Sequence, residues 1–324
     1  MDEEKQQPNA CPMNPHKSKI GGQALIEGVM MKGAYKGAMA CRLPDGSVDV
    51  ETWDLPARKK WYRRIPVIRG VYSFVISLAD GYKCLMKSAE KQMTEEERQE
   101  EEEHPSGFEA WLDAHFTEKT VEAIMMVGMV IGVVFALALF LFLPKWLVSL
   151  VPFLTINRFV RSLAEGIIKI VLFIGYMAVT GMMKDIRRTY EYHGAEHKTI
   201  ACFEAGLPLT VENVKKQVRL HPRCGTSFVF LVLFIGILVM CLVPFTVVWQ
   251  RFLASFVLLP VTVGVSFEAI QFAGRSDGVI AKILSWPGLQ LQRITTREPD
   301  ASQIEIAIAA LTPCIPENME DDRW

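Results

Sequence analysis

The sequence lacks the features that would place it in several common classes. Its 324 residues have a formal net charge of -1, so no excess of positive charge attracts nucleic acid, and we expect none as a partner. Segment 1–19 is polar and contains prolines instead of the apolar core of a signal peptide, and we expect it to be disordered. The 7 cysteines follow no framework spacing, which favours reduced thiols over disulfides.

The glycine-rich segment 21–33 lacks the features of a phosphate-binding loop. It has neither a Gly-Lys-Ser/Thr ending nor the glycine spacing of a dinucleotide fingerprint. Its glycines allow the backbone to approach another element closely, and Glu27 stands alone among apolar neighbours. Two interpretations remain open. The segment is an ordinary strand and turn whose carboxylate faces solvent, or it folds back so that Gln23 and Glu27 reach a functional site.

Apolar residues are what the sequence has in abundance. They make up 50% of the chain, while charged residues still make up 22%, so apolar and polar stretches are segregated. Four apolar runs reach the roughly 20 residues that a transmembrane helix needs, at about 121–143, 163–183, 226–248 and 252–272. We therefore expect a predominantly α membrane protein, with about four transmembrane helices in the lipid bilayer and a small mixed α/β cytoplasmic region.

The expected spans divide the chain into five segments. Pro44-Asp45-Gly46 lies between alternating runs and predicts a β-hairpin. Segment 65–91 predicts an amphipathic helix that is re-entrant or interfacial, with a full fifth span as the alternative. The segments are the polar N-terminus 1–19, a cytoplasmic or interfacial region 20–93, an acidic linker 94–110, the membrane domain 111–275 with its cytoplasmic loop 184–225, and a cytoplasmic C-terminal segment 276–324.

Basic residues predict the orientation in the membrane. Loop 184–225 contains 8 lysines and arginines, more than either of the other connections between spans. By the positive-inside rule this loop lies in the cytoplasm. With four spans, both termini then also lie in the cytoplasm.

The motif His193-Gly194-Ala195-Glu196-His197 follows the second span. Histidines at positions i and i+4 lie about 40° apart around a helix, so both imidazoles can reach one ion. Glu196 projects within one turn of both histidines. The order His-x-x-Glu-His is that of the inverted zincin motif, in which the carboxylate is a general base and not a ligand.

Further candidate ligands lie near the same membrane face. His221 and Cys224 directly precede the third span, Glu268 lies near the cytoplasmic end of the fourth, and Asp277 follows it. A charged residue inside a span is costly and is therefore a functional candidate. Each group also has an ordinary explanation: surface histidines, a plain thiol, or a Glu268 that pairs with Arg275 or Lys282.

Two metal sites are consistent with these residues. His193, His197, His221 and Cys224 would form a closed, structural zinc site. Alternatively, His193 and His197 bind the metal with Glu268 or Asp277 and leave one position open for water, which Glu196 would deprotonate. A cysteine ligand favours zinc, whereas histidine and carboxylate ligands accept several divalent metals.

Four sequence blocks resemble the YqhQ-like family of bacterial integral membrane proteins. These blocks are residues 21–32, 192–198, 221–227 and 292–299, and the resemblance extends from about residue 20 to 311. Members are of unknown function and are often labelled predicted metal-dependent enzymes. The resemblance implies a protein of the bacterial cell membrane and leaves the reaction open.

Two functions of different classes follow. The first is a membrane-embedded, zinc-dependent hydrolase at the cytoplasmic interface, with a peptide bond as the favoured target, His193 and His197 as ligands and Glu196 as base. The second is a non-enzymatic scaffold with a structural metal, which binds other membrane proteins, the insertion machinery or anionic lipid through its basic loop.

Overall fold

A computed structural model describes two compact units. Unit 1 comprises Met1–Gln92, Met177–Leu231 and Gly264–Trp324, and unit 2 comprises Met93–Tyr176 and Val232–Val263. The structure describes residues 15–56, 64–93, 127–128, 131–276 and 278–322. It confirms a mostly helical chain with one small sheet region.

Unit 1 contains a four-stranded antiparallel sheet in which consecutive strands pair in the order β1-β2-β3-β4. The turn signal Pro44-Asp45-Gly46 lies between β3 and β4, where Gly46 has a φ of 85° that favours glycine. The glycine-rich segment forms β1 and β2, so the sheet extends beyond the predicted hairpin. The strands are β1 Gly21–Leu25, β2 Gly28–Lys32, β3 Lys36–Arg42 and β4 Val48–Asp54.

Nine longer helices follow the sheet in the described part of the chain. Their bounds are α1 Ile68–Lys91, α2 Ile131–Ser149 with a π-helical stretch Ala138–Phe142, α3 Arg158–Thr180, α4 Lys184–Glu204, α5 Gly225–Leu242, α6 Val248–Val257, α7 Leu259–Arg275, α8 Val279–Thr295 and α9 Ala301–Leu311. Short helical turns occur at Pro152–Thr155, Val211–Lys215, Thr312–Cys314 and Met319–Asp321.

The core of unit 1 lies between the sheet and helices α4 and α9. Met31 and Ala40 from the sheet, Phe203 from α4, and Ile304 and Leu311 from α9 are all fully buried in one apolar cluster. Helix α9 begins with a capping box in which Asp300 and Gln303 bond reciprocally to each other's backbone N–H. This packing fixes α4, the helix that carries the His-x-x-Glu-His motif, against the sheet.

Three helices are long and apolar enough to cross a membrane: α2, α3 and α5. Helices α6 and α7 pass the same test only together, and they are bent by 51° at Leu258. Pro260 lies in the first turn of α7 and lacks the N–H that would continue the hydrogen bonding of α6. The described chain thus has three candidate spans, or four if the bent pair is one span.

The spans differ from their predicted bounds. Helix α3 begins at Arg158, five residues before the predicted 163, and its charged residues Arg161 and Glu165 are paired within unit 2. Helix α5 ends at Leu242 instead of 248, because Pro244 cannot continue a helix. The predicted span 252–272 is the bent pair. In the first predicted span, 121–143, residues 121–126 and 129–130 lie outside the described residues, and α2 continues to Ser149.

Helix α1 is long, but it is not among the described helices that are apolar enough to span. Its buried positions are small residues, Gly70, Gly81, Cys84 and Ser88. Its opposite face is apolar and exposed, with Val75, Leu78, Tyr82 and Met86 at helical spacing. Such a distribution is typical of a helix that lies at an interface.

The segment 1–19 is predicted to be disordered, but its last residues, 15–19, are ordered by contacts with distant parts of the chain. His16 Nε2 lies 2.9 Å from Asp322 Oδ2, and the Ser18 N–H donates to Glu204 Oε1 at 2.7 Å. These partners lie far along the chain, so no local pattern indicates the contacts. Residues 1–14 and the acidic linker 94–110 lie outside the described residues.

Candidate metal centre

Helix α4 places His193 and His197 one turn apart, with ring centroids separated by 4.4 Å. Gly194 lies between them, although glycine weakens a helix interior. A Cβ at this position would lie 1.9 Å from the carbonyl oxygen of Arg297, which is backbone and cannot move away easily. Glycine is therefore needed here for the close approach of α4 to the chain that follows α8.

Cys224 reaches the two histidines from the start of α5. Its Sγ lies 3.1 Å from His193 Nε2, and the donor atoms of His193, His197 and Cys224 all lie within 4.8 Å of one another. Imidazole nitrogen and thiolate sulfur are the preferred ligands of zinc. The three residues, here called the donor group, come from two elements separated by the Val211–Lys215 turn.

Backbone carbonyls orient both histidines of the donor group. His193 Nδ1 donates to the Thr295 carbonyl at 2.9 Å, and His197 Nδ1 donates to the Arg219 carbonyl at 2.5 Å. Because a carbonyl can only accept, each Nδ1 carries a proton, and each Nε2 is the ring nitrogen that remains to bind a metal as the neutral imidazole. Metal-binding histidines in proteins are held in this way. His197 Nε2 is buried and has no hydrogen-bond partner among the described residues.

Glu196 lies beside the donor group and is 4% exposed. Its Oε2 is buried without a hydrogen-bond partner in the part of the chain that the structure describes. Burial raises the pKa of this carboxyl group, and the neighbouring His193 and His197 offset that effect only in part. Gly22 of β1 gives the carboxylate its space, since a Cβ there would lie 3.1 Å from Glu196 Cδ.

Electrostatics favour the ligating form of Cys224. Burial raises the pKa of a thiol, but His193 and His197 outweigh burial and hold the pKa of Cys224 well below its usual value. Burial would likewise lower the pKa of His193, yet the Cys224 sulfur beside it raises that pKa to about 9. The thiolate is the form of cysteine that binds metals and acts as a nucleophile.

His221 is near the donor group but is not part of it. Its ring centroid lies 5.6 Å from that of His197, while its Nε2 lies 3.2 Å from Arg223 Nη2 and 3.5 Å from Glu204 Oε2. Gln292 fixes its backbone through hydrogen bonds of 2.8 and 2.7 Å to the N–H and carbonyl of His221. The structure therefore does not form the predicted closed set of four ligands. His221, the fourth residue of that set, contacts Glu204 and Arg223 instead.

Glu268 also lies apart from the donor group. Its two carboxylate oxygens accept from Nε and Nη2 of Arg69 in α1, with an Nε–Oε1 distance of 2.7 Å. The sequence suggested Arg275 or Lys282 as ordinary partners. Arg275 interacts with Glu268 electrostatically, but the hydrogen-bonded partner is Arg69, about 200 positions away, which only the fold brings close. Asp277, the other carboxylate considered as a ligand, lies outside the described residues.

The glycine-rich segment folds onto α4 through Glu27, but Glu27 does not belong to the donor group. Glu27 accepts from Arg188 Nη2 at 2.6 Å and from the Tyr192 hydroxyl at 3.1 Å, so it contacts α4 before the motif begins. Gln23 packs at Gly81 of α1 and lines the same cavity as Glu196 and Cys224, as one of the two interpretations predicted. Gly22, which no motif singled out, is the residue that lies against Glu196.

A cavity of about 820 Å³ opens beside the donor group within unit 1. Glu196, His197 and Cys224 line one part of it, and Arg69, Tyr72 and Asp80 of α1 line another. Its volume lies in the range of cavities that bind small molecules. A ligand in this cavity can therefore approach both the donor group and the buried carboxylate.

Comparisons with known proteins identify the family. Residues 65–317 match the family model described as "Protein of unknown function (DUF1385)". The chain is also 35% identical over 308 residues to "Uncharacterized protein YqhQ" of Bacillus subtilis (strain 168), covering 91% of this chain and 92% of that protein. No solved structure matches the chain. The chain belongs to the DUF1385 family, which confirms its resemblance to YqhQ-like proteins.

Proposed function

We propose that the protein is a zinc-dependent hydrolase whose ligands are His193, His197 and Cys224 and whose general base is Glu196. One observation carries this proposal: three donor atoms within 4.8 Å of one another lie beside a buried carboxylate that has no hydrogen-bond partner among the described residues. Three protein ligands are typical of catalytic zinc sites, whereas structural sites use four. Cysteine in the set favours zinc over magnesium or calcium.

The surrounding residues are suited to activating water. A bound zinc would supply a Lewis acid that lowers the pKa of water to about 7. Glu196 is buried at the edge of the cavity, and its raised pKa makes it a stronger proton acceptor than an exposed glutamate. The Thr295 and Arg219 carbonyls hold both imidazoles in one orientation, so the site needs little rearrangement.

A metal-free alternative is a Cys224–His193 nucleophile pair, which the 3.1 Å contact between them favours. That pair uses neither His197 Nε2 nor Glu196 Oε2, and both atoms would remain buried without a partner among the described residues. Unsatisfied buried polar atoms are costly. A zinc ion held by His197 would satisfy the first atom, and water at that ion would satisfy the second, so the zinc proposal accounts for more of the site.

The proposed hydrolase acts at the cytoplasmic face of the cell membrane, with a peptide bond as the favoured target. The three candidate spans and the bent pair support a multi-pass location, and the basic residues of 184–225 support the cytoplasmic side. The exposed apolar face of α1 is suited to the bilayer surface. A cavity with both apolar and charged walls would accept a substrate presented at that surface.

The test is the metal content of detergent-purified protein, measured by mass spectrometry together with peptide hydrolysis. We expect about one zinc per chain in the wild type. His193→Ala and Cys224→Ala lose the metal, whereas Glu196→Gln keeps it and loses hydrolysis. His221→Ala is the matched control and keeps the metal, because His221 is outside the donor group.

Other outcomes have definite meanings. A wild type without metal would end the proposal and leave the nucleophile pair or a scaffold. Metal that is lost in His221→Ala as well would indicate a closed structural site. Full hydrolysis by Glu196→Gln would remove the general base and favour a structural metal in a scaffold.

A further inference from the structure

Unit 2 contains a buried ionic group that the proposed zinc chemistry does not use. The Glu165 carboxylate accepts hydrogen bonds from Arg161 Nε at 3.0 Å and from Arg251 Nε at 2.9 Å. All three side chains are buried, and Arg251 is completely so. A single carboxylate balances one guanidinium charge, so the other remains in excess.

Two lysines of unit 2 increase this excess of positive charge. Lys145 is buried and donates from Nζ to the Leu141 carbonyl at 2.8 Å, a neutral acceptor. Lys169 lies close enough to Lys145 and Glu165 to interact with both electrostatically. Within the described ranges it has neither a hydrogen bond nor an ion pair. Uncompensated charge among apolar residues is costly, and such residues usually face a partner or a cavity.

Lys169 lines a cavity of about 290 Å³ within unit 2. Most of the wall is aliphatic or aromatic, including Phe140, Phe173, Leu233 and Leu258. An inorganic anion would balance the ammonium but leave the apolar wall uncovered. A neutral lipid would cover the wall but leave the charge unbalanced. A molecule with both an acidic group and a hydrocarbon chain matches both features.

We propose that this cavity binds an anionic amphiphile, whose carboxylate or phosphate pairs with Lys169 and whose acyl chain packs against the apolar wall. The acidic group would supply the anion that the described part of unit 2 lacks. The volume is at the lower end of the range of ligand cavities, so it suits a headgroup or part of an acyl chain and not a whole lipid. This site is independent of the donor group and of its metal.

The test measures binding of two probes, oleate and phosphatidylglycerol, to the full chain in detergent micelles, with phosphatidylcholine as the neutral reference. We expect an anionic probe to bind the wild type at least tenfold more tightly than phosphatidylcholine. Lys169→Met loses this preference and Lys169→Arg keeps it. Gly236→Leu also weakens binding, because Gly236 lines the cavity and a larger side chain would fill it. Exposed Lys216→Met is the matched control and binds as the wild type does.

The two anionic probes distinguish a carboxylate from a phosphate as the acidic group of the bound molecule. Preference for oleate identifies a free fatty acid, and preference for phosphatidylglycerol identifies an anionic phospholipid. The proposal is overturned if neither probe binds more tightly than phosphatidylcholine, or if Lys169→Met binds like the wild type. Thermal unfolding of each variant checks that it is folded, and Gly236→Leu provides a test that leaves the lysine in place.

Discussion

Single residues decide how closely the elements of unit 1 can approach. The i,i+4 spacing of His193 and His197 was readable from the sequence, because a helix places such residues on one face. The sequence also indicates Cys224 as a candidate ligand, but it does not show that His193 and His197 alone are its partners. The contact of Gly22 with Glu196 depends on the pairing of β1 in the sheet, and no local pattern carries that information.

Replacing Gly194 with alanine tests the close approach of α4 to Arg297. We expect a loss of about 1–3 kcal/mol in the free energy of unfolding, because the new methyl group would overlap a backbone carbonyl. The measurement is denaturant unfolding in detergent. Gly175→Ala in α3 is the control, since nothing lies within 4 Å of its Cβ position. That change should be neutral or stabilise the helix by up to about 1 kcal/mol. Equal effects of the two substitutions would argue against the contact.

At the level of elements, paired charges allow α3 to begin before the apolar run of the second predicted span. A search for uncharged apolar runs places the start of the second span after Arg161, yet α3 begins at Arg158 and includes both Arg161 and Glu165. Glu165 pairs with Arg161 and also with Arg251 of α6, about 90 positions away. Hydropathy alone therefore recovers the existence of the span but not its first turns.

Glu165→Gln tests how strongly this pairing connects α3 to α6. We expect the free energy of unfolding to fall by about 3–5 kcal/mol, because removing the carboxylate leaves the buried charges of its arginine partners uncompensated. Glu298→Gln is the control. Glu298 pairs with Lys198 and Arg219, but its side chain is 64% exposed, so about 0–1 kcal/mol should be lost. Chemical unfolding in detergent compares the two, and a small effect of Glu165→Gln would show that the pairing contributes little stability.

At the scale of the whole molecule, the donor group joins segments of unit 1 that are distant in sequence. Its side chains come from α4 and the start of α5, and a supporting carbonyl comes from the last residue of α8. The sequence placed these segments on one membrane face but could not predict which of six candidate ligands would meet. That choice depends on Glu204, Arg223 and Arg69, which engage His221 and Glu268 instead.

Removal of metal should therefore loosen unit 1 as a whole. A ligand present at 1,000 times its dissociation constant stabilises the folded state by about 4 kcal/mol. A chelator removes this stabilisation. We therefore expect it to lower the unfolding temperature of the wild type by several degrees. Cys224→Ala should already unfold at the lower temperature and show no further response. A wild type that is insensitive to the chelator would contradict a resident metal.

The supports of the donor group also bear on when the site can form during synthesis. Gly22 is translated early, the proposed ligands follow at positions 193 to 224, and the Thr295 carbonyl and the Arg297 backbone come last. A nascent chain that has emerged only as far as α7 would possess every ligand but not the group that orients His193. For the proposed zinc site we therefore expect loading to be late and post-translational, and ribosome-bound chains that stop before residue 295 should bind zinc poorly.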